Sequence, residues 1–139
     1  VEDLILSVPD VFPTLLGLAG LEKETPKEVQ GENYSEFLKS PDLNKNSKPT
    51  SALFLNQNSR GVYTKKFTFV VTENDGVVTE VYCYNNELDP YQMEKIPLDN
   101  LDNKTAAFLK NELAYLLKNT GDKWFQNNIA AEIIPYEAF

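Results

Sequence analysis

Alternation of apolar and polar residues in the middle of the chain predicts a small antiparallel sheet. Residues 66–72 are rich in Phe, Thr and Val, which suit a half-buried strand. The Asp75-Gly76 pair that follows tolerates positive φ angles and indicates a hairpin turn. Residues 77–84 are therefore the predicted return strand. Because side chains alternate between the two faces of a strand, its core side is predicted to carry Val77, Thr79, Val81 and Cys83.

Two segments before the hairpin also have strand character. Residues 51–57 place Leu53 and Leu55 on one face and Ala52 and Phe54 on the other. Residues 62–64 are either a short strand or the entry to the strand that begins at residue 66. After the hairpin, turn-forming residues end the ladder, and these are Asn85, Asn86, Asp89 and Pro90. The predicted sheet therefore has about four strands.

Helical patterns occur at both ends of the chain. Residues 11–19 are apolar nearly all round, with Asp10 placed to cap a helix, Pro13 in its first turn and Gly20 to end it. Such a helix needs burial on several sides. In the last third, leucines at helical spacing predict a second helix between cap residues at 99–103 and Gly121. Its buried stripe is predicted at Leu109, Leu113 and Leu116.

These elements together predict an α+β fold in which the small antiparallel sheet packs against the C-terminal helix. The 139 residues fit one domain. Within it, residues 1–21 form the short apolar helix, residues 22–50 a polar connector with a short helix at 34–39, and residues 51–139 the sheet and helix. The apolar tail at 127–139 is predicted either to add an edge strand or to pack on another domain.

Charge and cysteine content narrow the function classes. The net charge of −8 disfavours nucleic acid and anionic membrane surfaces, because both are bound through clustered Lys and Arg. We find no apolar run of membrane-spanning length and no signal-peptide layout. The single cysteine, Cys83, excludes a disulfide within the chain and is predicted to be a small core residue.

Three passages, in order along the chain, resemble the C-terminal part of the sulfatase family of the alkaline phosphatase-like superfamily. Residues 10–20 are similar to the family's Asp-x-x-Pro-Thr-Leu-Leu-x-Leu-Ala-Gly helix. Residues 60–70 resemble its Arg-Gly-Val-Arg-Thr-x-Arg-Tyr-x-Phe-Val passage, with Tyr63 and Lys66 in place of two arginines. Residues 84–96 resemble Leu-Tyr-Asp-Leu-x-x-Asp-Pro-x-Glu and the Leu that follows it. The residues in register are Asp10, Pro13, Thr14, Gly20, Arg60, Gly61, Val62, Thr64, Tyr84, Asp89 and Pro90.

The family's catalytic signature does not occur in the chain. That signature is Cys/Ser-x-Pro-x-Arg, whose first residue becomes formylglycine, and Asp, Asn and His residues near it hold a divalent cation. The chain contains no His, Cys83 does not begin the signature, and Ser7-Val8-Pro9 has Val11 in the Arg position. The resemblance therefore implies a C-terminal subdomain whose catalytic N-terminal domain is absent. Formylglycine and calcium are implied for that domain, and no catalytic residue, metal ligand or cofactor for this chain.

The resemblance also indicates candidate substrate-binding residues, Arg60, Tyr63 and Lys65. A planar guanidinium would reach a sulfate group well, whereas the alternative for Arg60 is a surface ion pair or a loop anchor. Likewise, Tyr82, Tyr84 and Tyr91 form either a platform for a sugar or packing that stabilises the sheet.

Three functional hypotheses follow. The favoured one is the C-terminal part of a sulfuric ester hydrolase, inactive alone, which completes the fold and lines the substrate pocket. Its expected partners are the catalytic N-terminal domain, on which the 1–21 helix would pack, and a sulfated substrate such as a glycan. A bacterial periplasmic or extracellular location is expected from the family. The alternatives are a free-standing interaction module on the same fold and the C-terminal part of a related phosphatase or phosphodiesterase.

Overall fold

The computed structural model describes residues 4–40 and 48–138, and the chain divides into two compact units, Val1–Thr50 and Ser51–Phe139. The described elements of the first unit are helix α1 (Val8–Leu18), a 3-10 turn (Glu22–Glu24) and helix α2 (Ser35–Lys39). The second unit contains strands β1 (Ser51–Leu55), β2 (Ser59–Thr64), β3 (Phe67–Asn74), β4 (Val77–Asn85) and β5 (Ile96–Pro97), then 3-10 turns at Leu98–Asn100 and Tyr136–Ala138 and helices α3 (Asn103–Asn119) and α4 (Lys123–Gln126).

Helix α1 begins three residues before its predicted start. Ser7 is the N-cap, and Asp10 in the first turn accepts hydrogen bonds from the Ser7 N–H (2.8 Å) and hydroxyl (2.6 Å). Asp10 therefore lies inside the helix as part of a capping box and does not precede it. The helix ends as predicted next to Gly20, whose φ of 72° permits the closing bond from Leu21 N–H to the Leu16 carbonyl.

The segment at 31–35 is hydrogen-bonded to two side chains of α1. Both lie in the passage that resembles the sulfatase family's helix. Asp10 Oδ1 accepts the Glu32 N–H at 2.9 Å, and Thr14 Oγ1 accepts the Tyr34 N–H at 3.0 Å. Gly31 lies against the Pro9 carbonyl, and a Cβ at this position would come within 2.0 Å of that oxygen. Because Pro13 has no N–H, the Pro9 carbonyl has no helical partner, which leaves space for this close approach.

The second unit contains a five-stranded antiparallel sheet in the order β1-β2-β3-β4-β5. The α+β class is confirmed. The prediction of about four strands omitted β5, a two-residue strand opposite Tyr82 and Cys83 that follows the turn segment. The segment predicted as a short strand at 62–64 is a six-residue strand that starts at Ser59. The sheet edges are therefore β1 and the very short β5.

A β-bulge changes the inward-facing residues of β4. Thr72 pairs with Glu80 but Glu73 pairs with Val78, so Thr79 is an extra residue in the ladder. Val81 packs on the core and Cys83 is buried in it, as predicted. The prediction was wrong for the first half of the strand: Val77 is 65% exposed and Thr79 is exposed, while Val78 packs on the core instead.

Helix α3 packs on one face of the sheet and forms the core with it. Its Leu109 and Leu113 are fully buried as predicted, Leu116 is partly buried against the same core, and Leu117 is fully buried as well. The core side of the sheet contributes Val62, Phe69, Val71 and Cys83. The N-cap of the helix is Asp102, which accepts the Thr105 N–H at 2.9 Å. Hydrogen bonding from the Thr105 side chain, and then from its N–H, lowers the pKa of Asp102.

The described part of the tail, residues 127–138, forms turns that pack on the core, so it adds no edge strand there. Ile134 is fully buried, and the Tyr136 hydroxyl donates to the Ile129 carbonyl at 2.8 Å. Phe139 lies outside the described residues. Within residues 4–40 and 48–138, no helix has the length and hydropathy needed to cross a membrane.

We predict that the Cys83 thiol does not react in the folded protein. Burial raises the pKa of Cys83 to about 12 from its ordinary 9.0. At pH 8 about one thiol in ten thousand is then ionised, against about one in ten in the unfolded chain, and only the thiolate attacks. Ellman's reagent should therefore label the native chain at its unfolding rate and the denatured chain at once. Immediate labelling of the native chain would contradict this burial.

Candidate functional site

The predicted site residues Arg60 and Tyr63 lie on opposite faces of β2. Arg60 shares the core side of the strand with Val62, whereas Tyr63 lies on the outer face, away from α3. Lys65 is exposed in the turn between β2 and β3 and does not line the cavity beside Tyr63. The fold therefore does not gather these three residues around one ligand, and their part in substrate binding stays a prediction.

Arg60 is held by contacts within the second unit. Its Nε donates to both carboxylate oxygens of Asp122 at 3.0 and 3.1 Å, and its Nη1 donates to the carbonyls of Asn56 and Ser59. The guanidinium carbon lies 5.2 Å from the centre of the Trp124 ring. The Arg60 and Asp122 side chains are only 12% and 11% exposed, so this is a largely buried ion pair that ties β2 to the start of α4.

The outer face of the sheet carries an open cavity of about 370 Å³, which we call the outer groove. Seven residues from β1, β2, β3, β4 and the loop after β4 line it, namely Phe54, Tyr63, Thr68, Val70, Tyr82, Tyr84 and Gln92. Val70 is almost fully buried, whereas the rings of Phe54 and Tyr63 are 41% and 40% exposed. The volume lies within the range of small-molecule sites. None of the lining residues carries a charge.

A polar cluster forms one end of the outer groove. Gln92 Nε2 donates to Thr68 Oγ1 at 2.8 Å and to Asn86 Oδ1 at 3.0 Å, and Asn86 Nδ2 donates to the Thr64 carbonyl at 2.9 Å. Gln92 has a φ of 54°, an uncommon backbone conformation for a residue with a long side chain. Among the residues that the structure describes, Gln92 Oε1 accepts no hydrogen bond. This oxygen is therefore an acceptor without a partner in the described part of the chain, on a residue that lines the groove.

Two tyrosines form the wall of the outer groove on β4. The rings of Tyr82 and Tyr84 meet edge to face, 5.5 Å apart at 79°. Lys95 Nζ lies 4.0 Å from the centre of the Tyr82 ring and pairs with Glu80 at 2.9 Å, so its charge is compensated beside the groove. Burial raises the pKa of Tyr82 above its ordinary value of 10.0.

Sequence reasoning found part of the outer groove. Tyr63, Tyr82 and Tyr84 were identified as candidates, whereas Phe54, Thr68, Val70 and Gln92 were missed as lining residues. Gln92 lies in the turn passage at 84–96, where the main pattern in the sequence is that of turn-forming residues. No group of three or more Cys, Asp or Glu residues in the described part of the chain is placed to hold a metal ion. The calcium that the family resemblance implies belongs to the catalytic N-terminal domain, and it stays a prediction.

Comparisons with known proteins identify relatives. No family model matches the chain. An endo-4-O-sulfatase of Bacteroides thetaiotaomicron is 30% identical over 156 aligned positions, which cover 98% of this chain and 30% of the relative. An ulvan-active sulfatase of Formosa agariphila is also 30% identical, over 80% of this chain and 23% of the relative. The chain thus spans less than a third of the length of these curated relatives.

Several solved structures are also similar to this chain. A structure from work on glycosaminoglycan metabolism by B. thetaiotaomicron matches 98% of this chain and 31% of its own, with a TM-score of 0.86 and 29% identity. Two more share the fold: a sulfatase of Bacteroides fragilis (24% identity, 96% of this chain and 28% of its own, TM-score 0.70), and a protein bound to its substrate D-glucosamine-2-N,6-O-disulfate (22%, 82% and 24%, TM-score 0.61). The chain matches a C-terminal fragment of the sulfatase family.

Proposed function

We propose that this chain serves as the C-terminal part of a sulfuric ester hydrolase, where it completes the fold and forms one wall of the substrate pocket. The observation that carries the proposal is the match of nearly the whole chain to under a third of an endo-4-O-sulfatase. A C-terminal sulfatase-like domain accounts for that partial coverage. The remaining sulfatase sequence would then supply the hydrolytic chemistry.

The residues present indicate which part of the function each domain would supply. Ester hydrolysis in this proposal uses a formylglycine nucleophile and a calcium ion, both held by the N-terminal catalytic domain. The described part of this chain has no cluster that fits such an ion, and the sequence has no Cys/Ser-x-Pro-x-Arg signature. The chain would thus contribute shape and non-covalent contacts, with Tyr63 in the outer groove as its candidate substrate contact.

Helix α1 is the proposed docking surface for the catalytic domain. Its unit exposes a row of large apolar side chains, Val8, Val11, Phe12, Leu15, Leu18 and Leu21. Apolar surface of this extent commonly marks a protein interface. Because the chain corresponds to under a third of its relatives' length, the occupant we propose is the rest of the sulfatase. A sulfated glycan substrate and a periplasmic or extracellular location are proposed with it, from the resemblance to the sulfatase family.

We predict that the chain alone has no esterase activity. With p-nitrophenyl sulfate and p-nitrophenyl phosphate, in the presence of calcium, we expect no turnover above the uncatalysed rate, and calorimetry should detect no stoichiometric calcium binding. The matched experiment uses the same chain fused to a sulfatase catalytic domain that carries formylglycine. Turnover of either ester by the chain alone would overturn the proposed division of labour.

The coding sequence upstream of Val1 separates the alternatives. A Cys/Ser-x-Pro-x-Arg signature on the same polypeptide would support the sulfatase and eliminate the free-standing interaction module. A Thr or Ser nucleophile without that Pro and Arg context would indicate the related phosphatase or phosphodiesterase.

A further inference from the structure

We propose that the outer groove binds an uncharged part of a glycan, a pyranose ring packed on the exposed rings of Tyr63 and Phe54 with a hydroxyl group donated to Gln92 Oε1. This inference rests on the proposed function, because it assumes that the substrate is a glycan. It goes further by assigning a part of the substrate to particular residues. The groove would hold a sugar next to the sulfated one and would leave the sulfate to other residues.

The first argument is the combination of aromatic and polar atoms. Sugar rings present apolar C–H faces and a rim of hydroxyl groups, so they fit sites where accessible aromatic rings lie beside hydrogen-bonding side chains. Tyr63 and Phe54 supply accessible ring surface, and Thr68, Gln92 and the two tyrosines of β4 are polar residues of the same lining. A protein segment of ordinary apolar composition would leave these polar atoms unpaired, which is costly.

The second argument is the Gln92 cluster. Both donor bonds of Gln92 Nε2 are used within the fold, at 2.8 Å to Thr68 and 3.0 Å to Asn86, which fixes the carboxamide and leaves Oε1 as an acceptor. Its positive φ is a backbone conformation that persists only where the surroundings impose it. A rigid acceptor beside exposed rings is preorganised for a hydroxyl donor.

The third argument is charge. Arg and Lys form the strongest hydrogen bonds to a sulfate ester, yet no Lys or Arg lines the outer groove. Arg60 is on the opposite face in its pair with Asp122, and Lys95 beside Tyr82 is paired with Glu80. The chain as a whole carries a net charge of −8, which further disfavours an anionic ligand. The groove is therefore suited to the neutral portion of a sulfated glycan.

The test uses NMR titration of the ¹⁵N-labelled chain with two probes, a chondroitin 4-sulfate tetrasaccharide and the same tetrasaccharide without sulfate. We expect both to shift the amides of β2, β3 and β4 around the groove, with dissociation constants that agree within about twofold. Neither probe should bind more weakly at high salt, because the contact contains no ion pair for salt to screen. The amide spectrum also reports whether each variant is folded.

Variants assign the contacts. Tyr63→Ala should weaken binding of both probes about tenfold, whereas Tyr63→Phe, which keeps the ring, should weaken it less than about threefold. Gln92→Asn keeps a residue type that tolerates positive φ but withdraws the acceptor, and should weaken binding about fivefold. Phe108→Ala is the control, because Phe108 is 49% exposed on α3, away from the groove. Removing this ring should leave the dissociation constants of both probes unchanged.

Three outcomes would overturn the proposal. Binding of the sulfated probe alone, lost at high salt, would make the groove a sulfate site. No shift with either probe would mean that the groove does not bind sugar. Shifts that Tyr63→Ala and Gln92→Asn leave unchanged would place the sugar elsewhere. Sulfate release by the chain fused to a catalytic domain is a separate measurement. Sulfate release without sugar binding in the groove would overturn only the proposed subsite. Sugar binding without sulfate release would overturn only the proposed enzyme function.

Discussion

Replacing Asp122 by alanine should lower the free energy of unfolding by about 3 kcal/mol or more, because it leaves the Arg60 guanidinium largely buried without its carboxylate. The same change removes the cap of α4, where Asp122 Oδ1 accepts the Trp124 N–H at 2.8 Å. Urea unfolding of the variant and the parent chain, followed by tryptophan fluorescence, measures the difference. Trp124 is the only tryptophan and lies beside the pair.

The control for this prediction is Glu80→Ala. Glu80 also forms an ion pair, with Lys95 at 2.9 Å, but both side chains are about half exposed, and such a pair contributes less than about 1 kcal/mol. If the two substitutions lowered the free energy of unfolding equally, the conclusion that Arg60 and Asp122 form a stabilising buried pair would be contradicted. A small effect of Asp122→Ala would also reopen the substrate-binding role predicted for Arg60, since the guanidinium would then not depend on its carboxylate.

Replacing Gly31 by alanine should destabilise the first unit by about 3 kcal/mol. The new Cβ would lie 2.0 Å from the Pro9 carbonyl oxygen and 2.6 Å from the Asp10 N–H nitrogen, and both are backbone atoms of α1 that cannot turn aside. Relief requires the segment at 31–35 to move away from α1, which breaks the hydrogen bonds to Asp10 and Thr14. Amide hydrogen exchange should show lost protection in α1.

Gln30→Ala is the matched control, because it places the same side chain on the neighbouring exposed residue. We expect its unfolding free energy to stay within about 0.5 kcal/mol of the parent. Protection of β3 and β4 should remain in both variants, since they belong to the second unit. If amide hydrogen exchange in α1 were the same in Gly31→Ala as in the parent, the close approach of Gly31 to Pro9 would not be needed for the stability of this unit.

The features that sequence reasoning predicted correctly are governed by local chemistry. The Asp75-Gly76 turn, the burial of Cys83 and the Leu109 and Leu113 stripe of α3 each follow from a few adjacent or regularly spaced residues. The start of α1 was missed by three residues because Asp10 is equally suited to an N-cap and to the third position of a capping box. Only the position of the serine three residues earlier distinguishes the two arrangements.

Features that depend on distant residues were not predictable in the same way. The partner of Arg60 is 62 residues away in the chain, and nothing near either residue indicates the pair. The outer groove is lined by one or two side chains from each of four strands and one from a loop. The bulge at Thr79 leaves the alternation of β4 looking regular, so a period-two pattern assigned Val77 and Thr79 to the wrong face.

The unequal edges of the sheet have a consequence for how it can be extended. At one edge, β5 offers two residues, one of them Pro97 without an N–H, so an added strand would find little to pair with. At the other edge, β1 presents five consecutive residues and no proline. Enlargement of the sheet by β-augmentation is therefore directional: a sixth strand would join beside Phe54 and lengthen the wall of the outer groove.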